Sequence, residues 1–456
     1  MLKIVVRSKK DRDAVLATLE RFYQEWDVEV RTLQGVRSVE EMVSELRRIV
    51  DPDHFFIVLL GREDASKAKA LELEMPLNVV VHVVPRARVR NTRIEQLAWE
   101  ISVARAKLRL RISWVDGSFE LHDRGEPLVD ERGAELGYEP AHDLFVVLER
   151  GVELLKELSG IELPETILML RMMGGTHLAY CGSKPCLKLS IPDEGLDIGV
   201  EKLFNDIRDV RLSTLVERNR SVLNLFERVS LRFLKQFENV DTVIVPLSGG
   251  KDSAVALYLA LKTFPREKIV GVYVRTGVDF PTCDTYVEKL ANRFGIELVV
   301  EDAGVRERLL QGAPLPTHSD RWCTALKIAA IDRAIRRVAK GRTLVVVGDR
   351  DAESRTRSAR PAVRIEHGRI VVAPLKYWST IHTQLYAKLV GLELNELYSY
   401  GFYRIGCYIC PALRSWELRI MLRYPELLKN VDRTLFERFL KAKQAFREVH
   451  TPSNGY

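Results

Sequence analysis

The sequence predicts an α/β protein in which a doubly wound parallel sheet follows a separate N-terminal α/β or α+β domain. Three observations carry this. Beyond about residue 211, four short apolar runs (DTVIVPL, KIVGVYV, IELVVE, TLVVVG) alternate with helical segments (DSAVALYLALKTF, CDTYVEKLANRFG, ALKIAAIDRAIRRVA). Such alternation packs parallel strands between helices, with ligands bound beyond the strands' carboxyl ends. The first of these runs ends in Ser-Gly-Gly-Lys-Asp-Ser (248–253), directly before a helical segment. The first third repeats the alternation on a smaller scale, in KIVVRS, DRDAVLATLERFYQEW, HFFIVLLG and NVVVHVV.

With 456 residues, 46% hydrophobic and 29% charged, the chain is long enough for two or three packed domains. No apolar run approaches the ~18 to 20 residues that span a bilayer, and the opening MLKIVVRSKKDRDAV turns charged too early for a signal peptide. A cytoplasmic enzyme with no membrane partner is the expectation. A net charge of +7 is mild over this length and permits an RNA or nucleotide partner without requiring one.

The expected boundaries are an N-terminal domain over 1–160, a Gly- and Cys-containing segment over 161–210 and a catalytic domain over 211–456. In RAKLRLRISW (105–114), Arg105, Lys107, Arg109 and Arg111 alternate with apolar residues. A strand there would present one basic face, either a patch for RNA phosphates or a solvated outer face. HDLFVVLERGVELLKELSG (142–160) reads as a helix ending at Gly160. Beyond it, His177, Cys181 and Cys186 fall close together, as a small metal site, a redox pair or ordinary buried thiols. Val222, Phe226, Val229, Phe233 and Phe237 recur at steps of three and four, the stripe of an amphipathic helix.

The SGGKDS loop has the makings of a phosphate cradle. Glycines let backbone approach an anion, the helix N-terminus offers N–H groups and partial positive charge, and Ser248 and Ser253 add hydroxyls. Lys251 brings a point charge. A Walker A loop is excluded, because Val245 stands where its first glycine belongs and Asp252 where its Ser or Thr belongs.

SGGKDS after a strand resembles the loop of the PP-loop, or N-type, ATP pyrophosphatases, which split ATP between the α and β phosphates with Mg²⁺ and form adenylates. Downstream, VRTGVDFPTCDTY (274–286), DRWCTALK (320–327), GDRDAESRTRS (348–358), APLKYW (373–378) and LNELYSYGFYRIGCYICP (394–411) resemble, in that order, the motifs of phosphoadenosine phosphosulfate reductases and their relatives. The resemblance implies a nucleotide site at Ser248, Gly249, Gly250, Lys251, Asp252, Ser253, Thr276, Gly277, Glu353, Ser354 and Arg357. Lys251, Asp252, Lys327 and Arg350 are its candidate catalytic residues. Lys327, Arg350 and Arg357 are also read as counter-charge for a triphosphate or sulfonucleotide, with surface ion pairs as the other reading.

The pattern breaks in informative places. The reductases attack sulfur with a cysteine in a Glu-Cys-Gly-Leu-His tail; here the end reads VHTPSNGY and no cysteine follows Cys410. Arg275 replaces the usual Asp before Thr-Gly, and His382 replaces an acidic residue. Cys323, Cys407 and Cys410 match three of the four cluster ligands of the iron–sulfur members. They imply a [4Fe-4S] cluster or a zinc site, with Cys283 or His318 available as a fourth ligand. The leading expectation is an enzyme that binds ATP and adenylates a substrate for sulfur transfer to tRNA or another nucleotide, with a sulfur donor as further partner. The alternatives are a sulfonucleotide reductase or sulfotransferase served by a thioredoxin-like reductant, and a non-catalytic nucleotide- or RNA-binding module.

Overall fold

The computed structural model describes residues 1–123, 125–129, 138–204 and 207–450; the chain end from Thr451, including most of VHTPSNGY, lies outside the described residues. Two compact units interleave along the sequence: Met1–Leu144, Leu212–Glu238 and Gly348–Val390 form the first, and Phe145–Arg211, Asn239–Val347 and Gly391–Tyr456 the second. This differs from the expected boundaries at 160 and 210. No helix among the described residues is long and apolar enough to cross a membrane.

In the first unit, strands Val28–Thr32, Leu2–Val6, Phe55–Leu60 and Val79–Val83 lie in that order as one parallel sheet. Phe55–Leu60 is interior and buried at every position, the continuous apolar run that a two-sided parallel sheet demands. Ser38 and Glu41 close a capping box on helix Val39–Ile49, each satisfying an N-terminal amide that would otherwise go unpaired. The predicted amphipathic helix forms as Arg220–Lys235, with Val222, Phe226, Val229 and Phe233 buried. Burying each such side chain contributes about 1.5–3 kcal/mol. Phe226 stacks on His382 at 4.1 Å and meets Phe55 at 4.7 Å.

Two local readings are corrected. The basic run at 105–114 is not a strand: Ile94–Leu110 is a helix, and only Ile112–Val115 is extended. Ala, Leu, Lys and Arg are all good helix formers. On the helix Arg105 and Arg109 share a face four residues apart and both are buried, so neither an exposed basic strand nor a solvated face exists there. The expected helix at 142–160 begins instead as strand Asp143–Leu148, because DLFVVL is a buried apolar run; helix Glu149–Ser159 follows and stops at left-handed Gly160, as predicted.

The second unit carries two sheets. The expected middle segment is no separate piece, because its strands Thr166–Arg171, Thr176–Tyr180 and Pro185–Ser190 join a five-stranded sheet. Ile167, Met169, Leu187 and Leu189 from that sheet share one core with Val274, Phe280, Cys283 and Tyr408. The other sheet is the predicted parallel one, in the order Glu297–Asp302, Ile269–Arg275, Thr242–Leu247, Thr343–Val346. From Thr242–Leu247 the chain moves first to one side and later to the other. The carboxyl end of that strand is therefore the switch point where doubly wound sheets bind ligands.

Candidate functional site

SGGKDS stands at that switch point. Gly249 has φ +76°, a left-handed turn that brings the chain from the strand to helix Lys251–Thr263, with Gly250 as its N-cap. Ser253 Oγ accepts from the Ser248 amide at 3.3 Å and donates to the Gly250 carbonyl at 3.0 Å, which pins the loop across its mouth. The Ser248 and Ser253 hydroxyl oxygens are 3.3 Å apart.

Lys251 behaves differently from its expected role as a phosphate-facing point charge. Its side chain is 2% exposed; Nζ lies 3.2 Å from the Asp252 carboxylate and donates to the Tyr403 carbonyl at 3.2 Å. The rings of Tyr398 and Tyr403 face it at 5.3 and 5.4 Å. The Tyr398 hydroxyl also accepts the Lys251 amide at 2.9 Å. Lys251 thus ties the loop to the 398–403 segment, a role that nothing in the motif's spacing signals.

The second half of the site grows from the end of the neighbouring strand. Thr276 gives its amide and hydroxyl to Asp279 at 2.6 and 2.7 Å, and its hydroxyl lies 3.3 Å from Cys407 Sγ. Gly277, at φ +73°, packs so closely on Arg306 that a Cβ would meet the arginine's Cβ at 2.7 Å. Cys407 Sγ also approaches Asp279 at 3.6 Å. Burial pushes the Cys407 thiol pKa well up, with Asp279 reinforcing it and Lys327 opposing. Burial pulls the Lys327 ammonium down, but Cys407, Asp279, Cys410 and Cys283 raise its pKa on balance. Cys283 packs under the loop, where burial pushes its thiol to about 12.

Cys323, Cys407 and Cys410 all pack against one hydrophobic core. As placed they do not fit the shared metal centre expected of them: among the described residues no three of His, Cys, Asp and Glu are grouped to hold an ion. What acts on these sulfurs instead is charge: Lys327 draws the Cys407 thiol pKa down against burial and Asp279.

Arg350, Glu353, Ser354 and Arg357 belong to the first unit. Arg350 is 1% exposed, its guanidinium 3.1 Å from Asp143 and 2.9 Å from the Thr380 hydroxyl. Glu353 accepts the Arg350 amide, Ser354 caps the turn Arg355–Ser358, and Arg357 pairs with Asp349. Neither surface ion pairing nor free counter-charge describes Arg350; it is held inside its own unit.

Cys181 and Cys186 form a disulfide across the Thr176–Tyr180 and Pro185–Ser190 hairpin, so they are neither metal ligands nor free thiols. His177 is buried with Nδ1 2.9 Å from the Gly175 carbonyl, and burial lowers its pKa to about 3, which the Arg171 and Arg414 charges reinforce. Its folded pKa lies below the ordinary value of ~6.5, so the stability of the neutral ring is fully present above ~6.5 and is lost as pH falls toward 3. By pH 5 the loss is on the order of 2 kcal/mol. His177→Gln should flatten the acid limb of a denaturation-midpoint profile between pH 6.5 and 5. An unchanged limb would assign acid sensitivity to other groups.

Residues 242–413 match the model of the phosphoadenosine phosphosulfate reductase domain. That stretch belongs to the phosphoadenosine phosphosulfate reductase family. An uncharacterized protein of Methanocaldococcus jannaschii is 28% identical over 56% of this chain and 52% of its own length, so the chain spans about half of that relative. A phosphoadenosine 5'-phosphosulfate reductase of Thiocapsa roseopersicina is 28% identical over 36% of this chain and 69% of its own. A crystal structure of phosphoadenylyl-sulfate reductase from Candida auris is 20% identical, with a TM-score of 0.34 over 46% of this chain and 98% of its own.

Proposed function

We propose that the reductase-family domain binds ATP with Mg²⁺ at Ser248–Ser253 and adenylates a substrate oxygen for sulfur transfer, with tRNA or another nucleotide as acceptor. The observation that carries this reading is a juxtaposition: a left-handed glycine loop at the sheet's switch point, and a thiol, Cys407, hydrogen-bonded to Thr276 at the end of the adjacent strand. The acceptor oxygen attacks the α-phosphorus, the bond to the bridging oxygen breaks, and pyrophosphate leaves. A donor at the sulfide level then displaces the adenylated oxygen, and AMP departs. Lys327 opposes the upward shift that burial and Asp279 impose on the Cys407 thiol beside the loop.

A second reading, reduction of a sulfonucleotide by a thiol, is favoured by the similarity to the Thiocapsa enzyme. The experiment uses anaerobically purified protein. Mg-ATP, sulfide and bulk tRNA should give AMP and pyrophosphate in a tRNA-dependent reaction. ADP and inorganic phosphate as products would sink the adenylation proposal. Sulfite released from a sulfonucleotide by thioredoxin, without ATP, would establish the second reading. Iron, acid-labile sulfide and zinc analysis of the same sample reads whether Cys323, Cys407 and Cys410 take up a [4Fe-4S] cluster or zinc.

A further inference from the structure

The parallel sheet of the first unit has a switch point of its own. From Leu2–Val6 the chain goes first to Val28–Thr32 on one side and then to Phe55–Leu60 on the other, so the carboxyl ends of Leu2–Val6 and Phe55–Leu60 flank the place where such sheets take ligands. The loops there are basic. Residues 7–13, 61–64 and 86–93, which follow Leu2–Val6, Phe55–Leu60 and Val79–Val83, hold nine lysines and arginines and four carboxylates. Direct bonds bring all three segments together. Arg7 pairs with Glu63 and Asp64, the Arg62 and Glu63 amides donate to the Arg86 and Ala87 carbonyls at 2.7 and 3.2 Å, and the Arg90 guanidinium reaches Ser8 Oγ at 3.4 Å and Asp11 at 3.3 Å. The loop after Val28–Thr32 is not part of this face; it carries Arg37 with Glu40 and Glu41.

The four carboxylates are taken inside this framework. Asp11 pairs with Arg90, Asp13 with Arg12, Glu63 with Arg7 and Arg88, and Asp64 with Arg7 and Lys67. With Arg7, Arg12, Arg88 and Arg90 so engaged, five of the nine cations are left: Lys9, Lys10, Arg62, Arg86 and Arg93, all exposed and none paired with a carboxylate among the described residues. They add nothing to the fold. Lys9 and Lys10 open helix Lys9–Phe22, where the positive end of the helix dipole disfavours cations, and Arg93 stands likewise at the start of helix Ile94–Leu110. Exposed cations gathered on one edge against their own repulsion suit a polyanion.

We propose that this edge of the first unit binds RNA through its phosphodiester backbone. Guanidinium and ammonium groups spread over three loops match successive phosphates, and each contact releases counterions. A lipid surface fits less well. Val89 is the one large apolar residue in the three segments and is 2% exposed, so no apolar side chain there is free to enter a bilayer. The choice of RNA over DNA rests on the proposed function, in which tRNA is an acceptor. The basic edge itself lies outside residues 242–413 and wholly within the first unit.

The test is a fluorescence-anisotropy titration of labelled bulk tRNA with the full chain, without ATP, at several potassium chloride concentrations. The edge variant combines Arg62→Gln, Arg86→Gln and Arg93→Gln. A charge-matched control combines Arg21→Gln, Arg47→Gln and Arg48→Gln, in the last turns of helices Lys9–Phe22 and Val39–Ile49. The edge variant should lose at least about tenfold in affinity, and its slope of log affinity against log salt should flatten by about two, at ~0.7–0.9 per lost phosphate contact. The control should bind as the unsubstituted chain does. Equal losses in the two variants, or no loss in the edge variant, would overturn the proposal. Duplex DNA bound as tightly as tRNA would overturn the choice of RNA, and phosphatidylserine vesicles bound at this edge in place of tRNA would give the face to a membrane. Since no ATP is present, tRNA binding lost only in the edge variant, with no AMP formed in the reaction above, would sink adenylation and leave this proposal standing. AMP formation together with normal tRNA binding by the edge variant would do the reverse.

Discussion

Replacing Gly249 with alanine is expected to weaken ATP binding by at least about tenfold, roughly 1.4 kcal/mol, while the protein remains folded. Two separate strains act at this position. A φ of +76° costs a residue with a Cβ about 1–2 kcal/mol. The added Cβ would also stand 3.1 Å from Cys283 Cβ, 3.2 Å from its sulfur and 3.3 Å from its Cα. The Cα cannot yield as a flexible side-chain tip can, so the loop must move and its amides turn away from their common target. Titration calorimetry with a non-hydrolysable ATP analogue reads the loss. Adding Cys283→Ala removes the sulfur but not the left-handed backbone, so the double variant should recover only part of the affinity. Unchanged affinity in Gly249→Ala would remove the loop from the nucleotide site.

The parallel sheet around this loop was legible because its determinants are local and periodic. DTVIVPL, KIVGVYV, IELVVE and TLVVVG form strands Thr242–Leu247, Ile269–Arg275, Glu297–Asp302 and Thr343–Val346, and the helices between them follow the predicted segments. The basic run at 105–114 misled because its alternation mimics a two-residue period, while the longer stretch from Ile94 has the length and helix-forming residues that decide the matter. Boundaries along the chain were less legible still. A compact unit is defined by contacts between distant segments, and Gly348–Val390 packs with Met1–Leu144 although the family motifs run straight through it.

Within the site, the loop and the Cys407–Cys410 pair could be read from residue types at short spacing. Their partners could not. Tyr398 reaches the Lys251 amide, and Thr276 meets Cys407, across separations of 147 and 131 residues, and tyrosine or threonine in a loop is unremarkable by itself. Lys251 shows the same limit from the other side. Its position next to a phosphate loop suggests a free charge, yet two aromatic rings, a carbonyl and Asp252 draw it inward. The fate of a long side chain depends on what the fold packs against it.

Asp143→Ala should destabilise the first unit by about 3–5 kcal/mol, because it strips a buried carboxylate from a region already rich in positive charge. Asp143 accepts the Thr380 amide at 2.8 Å and hydroxyl at 2.7 Å, and pairs with Arg350 at 3.1 Å. Its loss takes the carboxylate counter-charge from the buried Arg350 guanidinium and the Asp143 acceptor from the Thr380 amide. Against a typical domain stability of about 5–15 kcal/mol this is a large fraction, visible as a lower denaturant midpoint. Replacing the pair together, as Asp143→Leu with Arg350→Met, removes both charges and should recover most of the loss, since an apolar pair needs no desolvation of ions. A cost below about 1 kcal/mol for Asp143→Ala would show that the pair is solvated or redundant. The same variants address the role of Arg350 within GDRDAESRTRS. If the double variant regains stability and still binds the ATP analogue normally, Arg350 serves the fold; if stability returns but nucleotide affinity does not, the arginine acts on the ligand as well.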